Sequence, residues 1–169
     1  NHINGSNISA GADRLTNAGK NGTPQIVAPG CYDLVDVVGW QPLDEKWAEH
    51  ITHEHNRLLT SIVLQAEETK QVAQAHAKRL GTAKGPVAMI LPDHGLGEWD
   101  REGEDLHNPE GLAAFLSELK TTLPDNVETF PISCHINDAA FAEKALEIFD
   151  GWRADGTVTE ALTRRKLNN

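Results

Sequence analysis

The densest chemistry in the chain is Ser133-Cys134-His135-Ile136-Asn137-Asp138, where a thiol, an imidazole, an amide and a carboxylate share one turn. It follows the β-like run Val127–Ile132 and precedes a segment with a helical apolar stripe. In open α/β sheets, ligands sit in such turns, outside the carboxyl ends of the strands. Two other segments also leave a strand with polar residues in hand: Gly30-Cys31-Tyr32-Asp33 and Asp93-His94-Gly95. If the strands are parallel, all three reach one edge. Gly30, Asp33, Asp93, Gly95, His135, Asn137 and Asp138 then line one crevice. Each turn could equally serve only to cap a helix or reverse the chain.

The chemistry of that crevice stays open at this level. Asn137 and Asp138 are good helix caps. The helix start beneath them also offers free N–H groups and positive potential to a phosphate or carboxylate. Asp138 would repel such an anion unless a cation bridged them. His53-Glu54-His55-Asn56 sets two imidazoles at i and i+2, on one side of a strand. With His135 and a carboxylate they could bind a metal, as in a hydrolase. The helical H-E-x-x-H arrangement is absent, and surface or hydrogen-bonding histidines are the alternative. Cys134 beside His135 is a poor nucleophile–base pair, because adjacent residues project differently. No Walker-type phosphate loop and no G-x-G-x-x-G occurs. The catalytic residues, if any, are therefore unknown.

The elements that must position these residues alternate. Ser9–Gly19 reads as a short helix and Gln25–Ala28 as a buried strand stopped by Pro29-Gly30. Leu34–Trp47 has no clean period and reads as a surface excursion. Ser61–Gln65 is a short strand or extended segment, or else begins the next helix. Glu67–Leu80 is a helix with Thr69, Val72, Ala73, His76 and Leu80 on one side. Pro86–Leu91, nearly all apolar, suits a buried parallel strand. Glu98–Leu106 is an acidic loop, and Asn108-Pro109-Glu110 is a strong helix start. The last main helix buries Phe141, Ala145, Ile148, Phe149 and Trp152. Thr157–Leu167 adds a further helix or tail. The alternation implies a three-layer, Rossmann-like α/β domain with a mainly parallel sheet flanked by helices, over residues 1–156.

Composition removes several function classes. The net charge of -10 argues against a nucleic-acid surface. No apolar run approaches the ~20 residues needed to span a bilayer. Two cysteines, Cys31 and Cys134, make no disulfide framework, and a reduced cytoplasmic setting fits best. The chain opens on Asn1 rather than Met, as a piece of a longer protein or one with a removed tag would.

With these residues in view, the chain resembles the UPF0261 / Tm-1-like ATP-binding family over roughly residues 9–150. The matching segments are Ser9–Leu15, Pro29–Asp36, His53–Asn56, Leu91-Pro92 with Gly95 and Asp100, Asn108–Glu110, and His135–Ala142. The resemblance implies two Rossmann-like subdomains, of which this chain is similar to most of the second. It implies ATP, and with it Mg, bound between them; a plant member blocks tobamovirus replication. Bacterial members are mostly of unassigned function. The glycine- and threonine-rich nucleotide segments of the family lie upstream. Gly95-Leu96-Gly97 stands where the family tends to have Gly-Val-Ser, and Cys31-Tyr32 replaces small apolar residues. On this reading the ligand site is Gly30, Asp33, Asp93, Gly95, Asp100, His135, Asn137 and Asp138, with His53, Glu54, His55 and Asn56 at the rim. The partner is the missing N-terminal subdomain or another copy of the chain. Three readings follow: a nucleotide- or phosphate-ligand-binding module, an interaction or oligomerisation module without chemistry, and the metal-dependent hydrolase.

Overall fold

The computed structural model describes residues 1–159. Its centre is β5 (Val87–Pro92), buried at all six positions. It pairs in parallel with β1 (Gln25–Val27) on one side and with β6 (Val127–Ile132) on the other. Side chains of a strand alternate between faces. Val87, Met89 and Leu91 accordingly enter one core with Val72, Ala73 and Leu80 of α2 (Ala66–Leu80) and Leu112, Phe115 and Leu119 of α3 (Pro109–Thr122). Ala88 and Ile90 enter a second core with Phe141 and Ile148 of α4 (Ala139–Ala154). The parallel sheet is thus covered by helices on both faces, as the alternation of elements implied.

Three local readings are corrected. The helix predicted over Ser9–Gly19 is only α1 (Thr16–Lys20). Leu15 at its start has φ 72, in the left-handed region. Gly19 lies inside the helix rather than ending it, and there it lets the helix approach Ala83, whose backbone a Cβ would meet at 2.9 Å. The Leu34–Trp47 excursion contains a strand, β2 (Leu34–Val38). β2 pairs antiparallel with β4 (Leu59–Val63), which also pairs antiparallel with β3 (Thr52–Asn56). A second, antiparallel sheet therefore stands beside the parallel one. Its β3–β4 turn is set by Asn56, whose Oδ1 accepts from the N–H of Leu58 at 2.8 Å and of Leu59 at 3.1 Å. Phe149, read as buried, is 40% exposed. Most of the predicted Thr157–Leu167 helix lies outside the described residues.

The α3 start behaves as its sequence implied. Asn108 Oδ1 accepts from Gly111 N–H at 2.9 Å, and its amide donates to the Leu64 carbonyl at 2.9 Å. One side chain thus caps a helix and ties it to the chain leaving β4. Asn108→Ala should cost about 2 kcal/mol of unfolding free energy by urea titration, since both bonds go. Asn108→Asp, which keeps the cap but loses the donor, should cost less.

Candidate functional site

The carboxyl ends of β1, β5 and β6 do meet, and the turns beyond them are bonded to one another. Ile136 N–H donates to Gly95 O at 3.2 Å, and His94 N–H to Cys134 O at 3.1 Å. Leu96 N–H donates to Asp100 Oδ2 at 2.8 Å and Asn108 N–H to Asp100 Oδ1 at 3.0 Å. Gly95 has φ +126, and a Cβ there would overlap the Asp100 carbonyl oxygen and press on the His135 ring. Only glycine allows the two turns to close this tightly.

His135 is buried, and both ring nitrogens are engaged. Nε2 is 2.9 Å from the Gly97 carbonyl, to which it donates, and Nδ1 accepts from Asn137 N–H at 3.1 Å. Both nitrogens are thereby committed, and the ring has no lone pair left for a metal. This removes His135 from the metal-dependent hydrolase reading. His53 and His55 pack their rings on Trp99, 5.1 and 5.2 Å between centroids, and His53 Nδ1 is 3.3 Å from Asp105. Both rings lie against the acidic loop, and Glu54 and Asn56 are exposed. Among the described residues, no cluster of three His, Cys, Asp or Glu side chains has metal-binding geometry.

Asp138 heads α4 without capping it. Its Oδ2 accepts from His135 N–H at 2.9 Å and its Oδ1 pairs with Arg101 at 2.9 Å. These bonds hold its carboxyl below the usual range, the backbone bond first. Asn137 donates to Glu98 Oε2 at 2.7 Å. Asp93 is exposed beside His94, 3.5 Å away. Cys134 is buried, and burial raises its thiol pKa. Of the predicted residues, Gly95, Asp100, His135 and Asp138 thus form a self-satisfied brace rather than an open set of ligands.

The open volume lies beside that brace, beyond the end of β1. A cavity of about 430 Å³ is bounded by the Ser9–Gly11 segment, Gly30–Tyr32 and the face of α2. That is within the range of small-molecule sites. Its wall holds Tyr32 and His76 with ring centroids 3.9 Å apart. His76 Nδ1–H donates to the Val72 carbonyl at 2.7 Å, which leaves Nε2 as an acceptor. Burial, the larger effect, and the nearby Arg79 and Arg14 push His76 down to about 4, so the ring stays uncharged. Burial pushes Tyr32 up to about 12, so its hydroxyl stays protonated. The cations of the cavity are Arg14 and Arg79. Arg79 is anchored by bonds to the carbonyls of Ala12 (3.2 Å) and Ala75 (3.0 Å). Arg14 is exposed. Leu15, Leu34, Val72 and Ala75 supply apolar wall, and Asp36 a single carboxylate.

Only Gly30 of the predicted ligand residues lines this cavity. Sequence reading missed Arg14, Tyr32, His76 and Arg79 for identifiable reasons. Lys78-Arg79 looks like a helix C-terminus answering its dipole, and His76 sits on the apolar stripe of α2. The available signal was Arg14 inside the Ser9–Leu15 segment that carries the family resemblance.

Comparison with known proteins bears on both regions. Residues 1–153 match a family described as the C-terminal domain of an uncharacterised protein family, UPF0261. A UPF0261 protein of Brucella melitensis is 44% identical over 156 residues, covering 92% of this chain and 37% of that protein. One of Clostridium tetani is 31% identical over 136 residues, covering 80% and 34%. The ToMV resistance protein Tm-1 of Solanum lycopersicum is 28% identical over 130 residues, covering 75% and 17%. The chain spans little more than a third of the length of the bacterial relatives it matches. No helix among the described residues is long and apolar enough to cross a membrane.

Proposed function

The chain belongs to the UPF0261 family, and from that premise we propose that it binds a small organic anion, a nucleotide such as ATP or another phosphate ligand, in the cavity beyond β1. One observation carries the reading: in a chain of net charge -10, two guanidinium groups, Arg14 and Arg79, stand at a single partly apolar cavity. Guanidinium matches phosphate and carboxylate oxygens with paired N–H donors. The uncharged His76 acceptor and Tyr32 hydroxyl suit the polar edge of a neutral organic group, and the apolar wall suits its body. Magnesium would arrive on the triphosphate, since this ion keeps most of its water and uses few protein carboxylates. The remaining length of the relatives is the proposed source of further ligand contacts and of the partner subdomain. Calorimetry with ATP, AMP and pyrophosphate, on this chain and on a full-length relative, tests the reading. Binding by either, abolished at high salt, is expected; binding by neither contradicts it.

A second reading, an interaction surface without chemistry, is favoured by the tip of the antiparallel sheet. Trp40 and Leu58 are 63% and 62% exposed there, and Gly39 N–H bonds to the Leu58 carbonyl. Light scattering compares the chain with Trp40→Ser. If the tip mediates self-association, the mass of the parent chain rises with concentration and that of the variant does not.

A further inference from the structure

Asp33 follows directly on the cavity wall and points the other way. Residues 30–32 and 34 line the cavity, whereas Asp33 lies in the interior between β1 and β2, 4% exposed. Its Oδ1 is buried with no hydrogen-bond partner. Around it stand Thr69 of α2, Gly111, Leu112 and Phe115 of α3, and Leu96 and Asp100 of the loop after β5. The gap they leave is too small for a water molecule. The charged group facing Asp33 is Asp100, itself 3% exposed. Asp100 is fixed by two backbone N–H donors and has His107 Nδ1 at 3.6 Å. The titratable Cys31 lies two residues before Asp33 and adds no positive charge.

A buried carboxylate with one oxygen unpartnered, helped only by its own backbone N–H and set beside a second carboxylate, is strongly disfavoured. Here neither water nor a neighbouring cation relieves it, and Asp100 already holds its two donors. The proton therefore belongs on Asp33. The same segment is bonded at both ends to the surrounding fold: Cys31 N–H donates to Leu96 O at 2.8 Å, and Leu64 N–H to Asp33 O at 2.7 Å. Charging Asp33 loads strain onto those two bonds and onto the cavity wall between them. Cys31, with φ 53 in the left-handed region, is already held there at some cost.

We propose that Asp33 is a proton-controlled latch: neutral, it seats the Gly30–Leu34 wall of the cavity against the loop after β5, and ionised, it releases that wall. Burial, then the Asp100 charge, raise its carboxyl to about 7 from 3.8. Between those values the native chain keeps a proton that the unfolded chain has released. Its stabilising effect is complete below pH 4 and is lost as pH rises through about 7. That a ligand in the cavity should bind more tightly below neutrality than above rests on the proposed function; the latch itself does not.

Urea unfolding of the chain and of Asp33→Asn, from pH 5 to pH 8, tests the stability arm. The unfolding constant of the parent chain, relative to the variant, should rise about a hundredfold over that range. Amide exchange at Cys31 and Leu64, corrected for intrinsic rates, should rise through pH 7 in the parent and stay level in the variant. Carbon NMR of the Asp33 carboxyl needs no variant and should show titration near 7. Titration below pH 5, or parallel stability profiles for the two proteins, overturns the latch. A latch that holds while no anion binds overturns only the proposed ligand.

Discussion

Replacing Arg14 and Arg79 together by alanine should weaken ATP or pyrophosphate binding by two to three orders of magnitude. A hydrogen bond to a charged group contributes about 1.5–3 kcal/mol, and two guanidiniums supply at least one such bond each. The two changes are not equivalent. Arg79 also bonds to the carbonyls of Ala12 and Ala75, which tie the Ser9–Leu15 segment to α2. Arg79→Ala should therefore lower stability as well as affinity. Exposed Arg14 has no such role, and Arg14→Ala should lower affinity tenfold or more with the melting temperature unchanged. Arg14→Lys should restore only part of the loss, since a single ammonium cannot reproduce the paired donors. Calorimetry with each variant, alongside thermal unfolding, separates the two effects.

Gly95→Ala is the second large effect, and it acts on the brace rather than on the cavity. Gly95 has φ +126, and its missing Cβ is the space taken by the Asp100 carbonyl and the His135 ring. A non-glycine residue there combines backbone strain with overpacking, roughly 3–5 kcal/mol together. The Leu96–Asp100 and His135–Gly97 bonds should go with it. Urea unfolding should show the loss directly. The Asp138–Arg101 pair is a contrasting case. It is half exposed, and ion pairs of that kind contribute little. Arg101→Ala should leave the unfolding midpoint nearly unchanged.

Sequence reading worked where one physical signal dominated. The unbroken apolar run of β5, the stripe of α2 and the Asn108-Pro109 start of α3 each have one sensible structural meaning, and each holds. It missed β2 and gave β3 no place in the order of elements: Asp36 interrupts the apolar run of the one, and the other, Thr52–Asn56, is polar throughout. Strand pairing across β4 decides those segments, and pairing is not written in local period. The turns expected to converge at the strand ends do converge, and their polar residues were read as ligands. His135 and Asp100 instead spend their lone pairs on backbone N–H groups of neighbouring turns. Nothing short of the turn geometry distinguishes a histidine that braces from one that binds. The cavity escaped notice because its cations come from two distant segments, each with an ordinary local explanation.

The claim at the centre of this account is where the ligand sits. Titrating the isotope-labelled chain with ATP, with and without magnesium, and following amide shifts tests it most directly. The account predicts saturable shifts over Ser9–Leu15, Gly30–Tyr32 and the Val72–Arg79 stretch of α2, abolished in Arg14→Ala/Arg79→Ala. Shifts centred instead on His135–Asp138 and Asp93–Gly95, and retained in that double variant, would contradict it.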